Sequence, residues 1–190
     1  MKISTYYRAL LAICSFVLLS GCATKIEQPA LAIPERSTVP LGSYDNVYLA
    51  DISMAEEYAG QSANEKAAKR IGEVLFRNMR QVFPKLEKIS HEGAEKMEAN
   101  KDHALIIKPH IRQIKFIGGG ARFFVGAMAG SSVVVMEAQF VDVATGESVA
   151  WPEYQRIGRA NSGAWSIGAT DNRMLEDIAK DFSRYASYNK

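Results

Sequence analysis

Cysteine is scarce in this sequence, and both copies lie near the N-terminus. Cys14 and Cys22 are the two cysteines among 190 residues. From residue 23 onward the sequence therefore offers no thiol for a disulfide, a thiolate zinc site or a cysteine nucleophile. The folded part of the chain must be stabilised by its apolar core.

An excess of charge of one sign is also missing. The chain has 23 basic and 21 acidic residues, and its formal charge is +2. Lys2 and Arg8 lie in the first 21 residues, which contain no acid, so residues 22–190 carry 21 charges of each sign. A net charge of zero gives no argument for binding nucleic acid or for docking on an anionic surface.

The common catalytic and cofactor motifs are absent. The sequence contains no Gly-x-Ser-x-Gly and no His-Glu-x-x-His, and its glycine-rich stretch over 118–132 lacks the Gly-Lys-Ser/Thr of a phosphate-binding loop. The three histidines, His91, His103 and His110, are scattered rather than spaced as metal ligands. We therefore expect no catalytic residue, no cofactor, no metal site and no small-molecule substrate.

An apolar run that begins near Ala9 is the first positive signal. It is too short to span a bilayer, which takes about 20 apolar residues. A basic start at Lys2 and Arg8, an apolar middle and small residues at the end are typical of a secretory signal peptide. The pattern predicts that residues 1–21 are a signal peptide.

The run closes on Leu19-Ser20-Gly21-Cys22, which resembles the lipobox of bacterial lipoproteins. The resemblance implies cleavage before Cys22 and acylation of this cysteine by fatty acids such as palmitate. The membrane contact would then be the lipid on Cys22. Because Ala23 rather than Asp follows the cysteine, the resemblance implies sorting to the outer membrane of a Gram-negative envelope, on its periplasmic face.

Residues 22–42 form the predicted tether. Pro29, Pro34 and Pro40 recur among polar residues, and proline disfavours both helices and central strands. Residues 43–190 would then be a single periplasmic domain.

Periodicity predicts an α+β fold: a two-layer α/β sandwich with a mixed sheet of about five strands and two main helices, in the order β-α-β-(α)-β-β-β-α. The strands are predicted over 46–52, 86–90, 103–117, 133–143 and 148–159, and the helices start at Ser62, Glu92 and near Asp171. Ser62 and Glu65 fit a capping box, and Pro84 would end that helix.

Three local features are expected in the strands. A phase shift in the apolar pattern indicates a bulge near Arg112 or Gln113. Pro109 indicates either an edge position or an irregularity of that kind. Asp142 to Glu147 contains a hairpin turn in which Gly146 adopts a positive φ and Asp142 accepts backbone hydrogen bonds.

From Gly118 to Trp151 the sequence resembles a group of uncharacterised bacterial lipoproteins that share a domain of unknown function. The shared features are a glycine-rich segment with Arg122, the valine-rich strand Val133–Val143, and Asp142-Val-Ala-Thr-Gly-Glu147. The order of strands is also similar to the N-terminal domain of the periplasmic protein TolB and to lipoproteins that activate peptidoglycan synthases or build the curli secretion channel. These resemblances imply an accessory or assembly role in the envelope.

The candidate partner contact lies in the glycine-rich segment, because large apolar side chains are unusual on a loop unless they pack against the body or a partner. Its residues are Arg122, Phe123, Phe124, Val125 and Met128. A plain connection between strands and a hairpin that inserts into a membrane on oligomerisation are the alternatives. Trp151 and Trp165 are expected either at an interface or in the core.

Three functions are compatible with these features. The first is a non-catalytic accessory or assembly factor that binds another envelope protein. The second is an oligomeric secretion or channel component that uses segment 118–132, and the third is an envelope hydrolase. The lipobox resemblance and the missing catalytic motifs favour the first.

Overall fold

The computed structural model describes residues 33–100, 103–115, 132–158 and 169–190. The strands are β1 (Asn46–Ala50), β2 (Ser53–Met54), β3 (Glu87–Ile89), β4 (Ala104–Lys115), β5 (Ser132–Asp142), β6 (Ser148–Ala150) and β7 (Glu153–Gly158). The helices are α1 (Ser62–Val82), α2 (His91–Asn100) and α3 (Ala169–Tyr188), with 3-10 turns at Leu41–Ser43 and Glu56–Tyr58. The predicted α+β sandwich with a mixed sheet is confirmed.

The sheet has seven strands rather than about five. Its order is β3-β1-β4-β5, with β6 and β7 both paired to β5, and β2 paired to β4. β1 runs parallel to β3 and β4, whereas β5 is antiparallel to β4, β6 and β7. The predicted returning strand is divided at Pro152, which has no N–H to donate to the ladder. Its carbonyl still accepts a hydrogen bond from the Ala138 N–H at 3.0 Å.

Helices α1 and α3 cover one face of the sheet and enclose the main core. Contacts at both ends show that the two helices run parallel. Arg70 contacts Glu176 at 2.9 Å in their first halves, and the Lys190 ammonium donates to the Val82 carbonyl at 2.8 Å at their ends. Alternate residues of β5, from Val134 to Phe140, point into this core. The largest fully buried side chains include Ile71, Leu75, Met79, Ile107, Ile111, Met136, Phe140 and Phe182.

The opposite face, here called the outer face, is covered over only part of its length by a described helix. Helix α2 lies over the half that contains the start of β4 and the end of β5. The small cluster beneath it comprises Ala50, Ala94, Ala104, Ile106 and Val143. This helix therefore adds a local second layer without changing the two-layer character of the main core.

The irregularities predicted in β4 have two separate causes. The register with β5 shifts between Ile111 and Gln113, so the bulge lies at Arg112 as expected. Of the two alternatives for Pro109, the edge position is excluded, because β4 is central, between β1 and β5. Pro109 pairs with Ala138 of β5, and it is tolerated because on its other side it lies at the break between β1 and β2, where neither strand pairs with it.

The start of α1 also differs from the prediction. Gln61 is the N-cap residue, and Ser62 lies inside the first turn with no side-chain capping bond. The Glu65 carboxylate accepts a hydrogen bond from the Gly60 N–H at 3.0 Å rather than from the Ser62 N–H, so the expected capping box does not form. The helix ends at Val82, ahead of Pro84, as predicted.

The sheet has two ends with different roles. The proximal end holds Asp142, at the end of β5, and the last residues of α3. There the Tyr185 hydroxyl donates a hydrogen bond to the Glu35 carbonyl at 2.7 Å. Asn189 accepts two more, from the Ser37 N–H to its Oδ1 at 3.0 Å and from the Leu41 N–H to its carbonyl at 2.7 Å. These contacts extend the folded body back to Glu35, ahead of the expected boundary at residue 43.

The distal end holds the last residue of β4, the first of β5 and the last of β7. Lys115 pairs with Val133, and Ser132 pairs with Gly158. β5 spans 11 residues between the two ends, which is about 35 Å at the usual rise per residue. The chain therefore enters at one end of the sheet, and both flanks of segment 116–131 lie at the other.

Alkaline pH is expected to destabilise the fold through buried tyrosines. Burial, followed by the hydrogen bond to Asp142, raises the pKa of Tyr44 from 10.0 to about 12. Burial, followed by the charge of Asp181, does the same for the pKa of Tyr154. The unfolded chain ionises these groups first, so the stability they contribute is complete below pH 10.0 and is lost as the pH rises toward about 12.

Combined circular dichroism and tyrosinate absorbance would measure this loss. Unfolding and tyrosine ionisation should coincide, and Tyr154→Phe should make the remaining stability less dependent on pH above 10.0. Ionisation of all tyrosines in a protein that stays folded would contradict the expectation.

Candidate interaction surface

The residues that the sequence singled out for function lie outside the described residues. These are Cys22, Arg122, Phe123, Phe124, Val125, Met128 and Trp165. Their roles stay predictions, but the flanks of the glycine-rich segment, Lys115 and Ser132, place its two attachment points at the distal end. Of the described helices, none has both the length and the apolar character required to cross a bilayer.

A polar surface lies on the outer face at this distal end, and we call it the distal surface. It is built from the last part of β4, the first part of β5, and β7. Its residues are Arg112, Gln113, Val135, Glu137, Glu153 and Gln155. The bulge creates it, because the extra residue in β4 leaves Gln113 opposite Val135 on the outer face and returns Ile114 to the core.

A cluster of charged side chains lies on one side of the distal surface. Arg112 Nη1 donates to Glu153 Oε2 at 2.6 Å, and Arg112 Nε lies 3.9 Å from Glu137 Oε2. The hydrogen bond to Glu153 raises the pKa of Arg112 above its already high ordinary value. Glu137 and Glu153 are mostly covered, with 20% and 28% of their side chains exposed. Two carboxylates share one guanidinium, so the cluster is an acceptor-rich site.

Two buried polar atoms of the distal surface have no hydrogen-bond partner among the described residues. They are Gln113 Oε1, an acceptor, and Gln155 Nε2, a donor. The two glutamines flank Val135 on neighbouring strands, so their Cα atoms lie about 10 Å apart. A buried polar atom without a partner costs about 1–3 kcal/mol. An ordered water or ion beside such an atom is one way in which proteins offset this cost.

Replacing either glutamine with methionine is therefore expected to stabilise the isolated protein. Gln113→Met or Gln155→Met keeps the approximate volume and removes the unpaired atom, which should raise the free energy of unfolding by about 1 kcal/mol. Urea denaturation would measure the change, with Lys115→Met as an exposed control at the same end of the sheet. A clear loss of stability in both glutamine variants would show that these atoms are satisfied in solution.

Ser53 and His110 form a hydrogen bond between β2 and β4. Ser53 Oγ lies 2.7 Å from His110 Nδ1, and His110 is opposite Glu137 in the ladder. The composition is that of a serine–histidine–acid set. In the described structure, however, Glu137 contacts Arg112, and no contact joins it to the imidazole. The pair joins β2 to the sheet, and the geometry does not align an acid with the second imidazole nitrogen as nucleophilic catalysis requires.

The remaining candidates have ordinary structural roles. Asp142 accepts hydrogen bonds from the N–H groups of Ala144 and Thr145, at 2.8 and 3.2 Å, and Gly146 has φ of 75°, as predicted. His103 lies beside the Tyr44 ring, with 5.5 Å between centroids. Among the described residues, no cluster of three or more potential ligands is arranged for a metal.

Trp151 belongs to the surface rather than to the core. It is 59% exposed and precedes Pro152 at the break between β6 and β7. The sequence left core packing and an interface as alternatives, and the exposure excludes core packing within this chain.

Sequence reasoning missed most of the distal surface because its contacts are distant in the chain. Arg112 and Glu153 are separated by 41 positions, and only the register of three strands brings them together. The predicted bulge was the one local signal.

Comparison with known proteins identifies relatives of the fold only. No protein-family model matches the chain, and no curated protein matches it in sequence. The PelC dodecamer from Paraburkholderia phytofirmans is 13% identical, with a TM-score of 0.48, over 76% of this chain and 89% of its own.

Two further solved structures are similar. A Xanthomonas campestris protein of the family DUF330 is 8% identical, with a TM-score of 0.49, over 82% of this chain and 94% of its own. The lipoprotein GNA1162 from Neisseria meningitidis is 8% identical, with a TM-score of 0.35, over 73% of this chain and 96% of its own.

Proposed function

We propose that this chain is a lipid-anchored protein of the bacterial envelope that acts as a non-catalytic accessory or assembly factor. Its lipid on Cys22 would hold it to the outer membrane on the periplasmic side. Its distal end would bind another envelope protein. The lipobox resemblance supports the anchor, and the architecture supports the division between the two ends.

The observation that carries the proposal is the separation of the anchor from the distal surface. The chain enters at Glu35, at the proximal end, whereas the unpaired glutamine atoms and both flanks of the glycine-rich segment lie at the distal end. A partner bound there would not compete with the membrane for the same surface.

Site-specific photo-cross-linking in cells tests this division. A cross-linker at Phe124 or Gln155 should give one defined adduct with a different envelope protein. The same cross-linker at Glu147, an exposed residue of the proximal hairpin, should not give that adduct. Absence of any adduct from both distal positions, or equal adducts from Glu147, would refute the proposal.

One observation favours the alternative of an oligomeric secretion or channel component. β7 lies at an edge of the sheet, and no other described strand pairs with its outer side. An exposed edge can pair with a second chain. Adducts containing two copies of this protein from Gln155 would support this alternative over a different partner.

A further inference from the structure

We propose that the C-terminal ends of α1 and α3 form a basic surface that docks the domain on the headgroups of anionic phospholipids. The net charge of zero in residues 22–190 conceals an uneven distribution. A groove beside β3 is lined by Arg80, Lys85 and Lys88, and Glu87 is the one acid among its described residues. A groove between the two helices is lined by Lys180, Arg184 and Lys190 and by no described acid.

Five of these cations have no acidic partner in the described part of the chain, and together we call them the proximal basic surface. They are Arg80, Lys85, Lys88, Arg184 and Lys190, all of them exposed. Lys180 is left out because it pairs with Asp177 at 3.2 Å. Cations without acidic partners are available to an external anion.

Local stabilisation explains only part of the proximal basic surface. A cation near a helix C-terminus interacts favourably with the helix dipole, and this accounts for Arg80, in the last turn of α1. Lys190 caps the same helix by donating to the Val82 carbonyl. Lys85 and Lys88 lie beyond the helix, and Arg184 lies before the last turn of α3, which contains no basic residue. In the described structure, neither an ion pair nor a helix C-terminus accounts for these three cations.

The place where the chain enters the folded domain indicates which anion the proximal basic surface binds. The contacts of Glu35, Ser37 and Leu41 with the end of α3 bring the N-terminal segment to this same end of the domain. Twelve residues separate Cys22 from Glu35, so a lipid on Cys22 would lie at most about 47 Å away along the chain. A tethered surface meets its membrane at high effective concentration, and each basic residue at an anionic leaflet adds about fivefold to binding.

The shape of both grooves suits headgroups rather than an enclosed small anion. Each is a shallow depression open to solvent, with a volume of about 520–530 Å³. Arg80 and Lys88 extend over the Phe76 ring, at 5.9 and 4.9 Å from its centroid. Docked in this way, the proximal end would face the bilayer and the distal surface would face away from it. The orientation rests on the proposed function, but the affinity for lipid does not.

Vesicle co-sedimentation of the chain from Ala23 onward tests the affinity without Cys22. This protein keeps every described contact, because these begin at Glu35, and circular dichroism would verify that each variant is folded. We expect binding to vesicles with about one third phosphatidylglycerol, little binding to pure phosphatidylcholine, and loss of binding at about 0.5 M salt. The combined variant Arg80→Gln, Lys85→Gln, Lys88→Gln should bind at least about tenfold more weakly.

A matched variant removes three charges from the other end of the same helices. Lys66→Gln, Lys69→Gln, Arg173→Gln replaces three exposed residues and should bind like the unmodified protein. Equal weakening by both triple variants would indicate a net-charge effect and overturn the proposal. So would binding that is equal on both kinds of vesicle. Because Cys22 is absent from the assay, a negative result leaves the lipid anchor and the protein partner untouched.

Discussion

Replacing Arg156 with alanine is expected to lower the free energy of unfolding by about 3 kcal/mol. Arg156, on β7, donates from Nε and Nη2 to the two carboxylate oxygens of Asp181 on α3, at 2.6 and 2.5 Å. The Asp181 side chain is only 7% exposed. Removal of the arginine would leave a buried carboxylate without its partner, and an unpaired buried charge strongly lowers the free energy of unfolding.

Replacing Asp181 instead of Arg156 should lower the free energy of unfolding much less. Asp181→Ala leaves Arg156, which is 43% exposed, free to turn toward water, so we expect a loss of about 1 kcal/mol. The double variant Arg156→Met, Asp181→Leu should be close to neutral, because no unpaired charge remains. Urea denaturation of the three variants would measure this asymmetry, and equal losses in the two single variants would contradict it. Because this pair joins β7 to α3, its loss should also loosen the edge of the distal surface.

Removing the lipid attachment is expected to have the largest effect on location. If residues 1–22 are exchanged for a cleavable signal peptide without a lipobox, the chain begins at Ala23 and should move from the membrane fraction to the soluble periplasmic fraction. Two or more acyl chains anchor a protein stably, whereas the proximal basic surface alone would leave a small, salt-sensitive remainder.

The control for this exchange is the signal and cysteine of another lipoprotein, which should restore the membrane fraction. Ala23→Asp should keep the acylated protein but hold it in the inner membrane, as the resemblance to enterobacterial lipoproteins implies. A chain without Cys22 that stays fully membrane-bound at high salt would contradict the assigned anchor.

Local patterns predicted those parts of the fold whose causes are local. The apolar stripe of α1, the alternation along β5 and the turn at Gly146 depend on residues a few positions apart. The bulge at Arg112 was visible for the same reason, as a change of phase. The extra strand β2 is only two residues long, which is too short for any period to show.

The contacts that form the two ends of the molecule are distant in sequence, and no local pattern encodes them. Ser37 and Asn189 are 152 positions apart, so prolines alone suggested a tether that extended to residue 42. Composition likewise gives the sum of the charges but not their positions. The 21 charges of each sign in residues 22–190 therefore conceal a basic surface that only the parallel packing of α1 and α3 reveals.

The mass of the native particle extracted from membranes with mild detergent tests the central claim most directly. If the chain is an accessory lipoprotein, the particle should contain this chain together with a different envelope protein. The particle should fall to the mass of the chain alone when the distal surface is altered by Arg112→Glu. A particle made only of many copies of this chain, or a lone monomer before any substitution, would contradict the account.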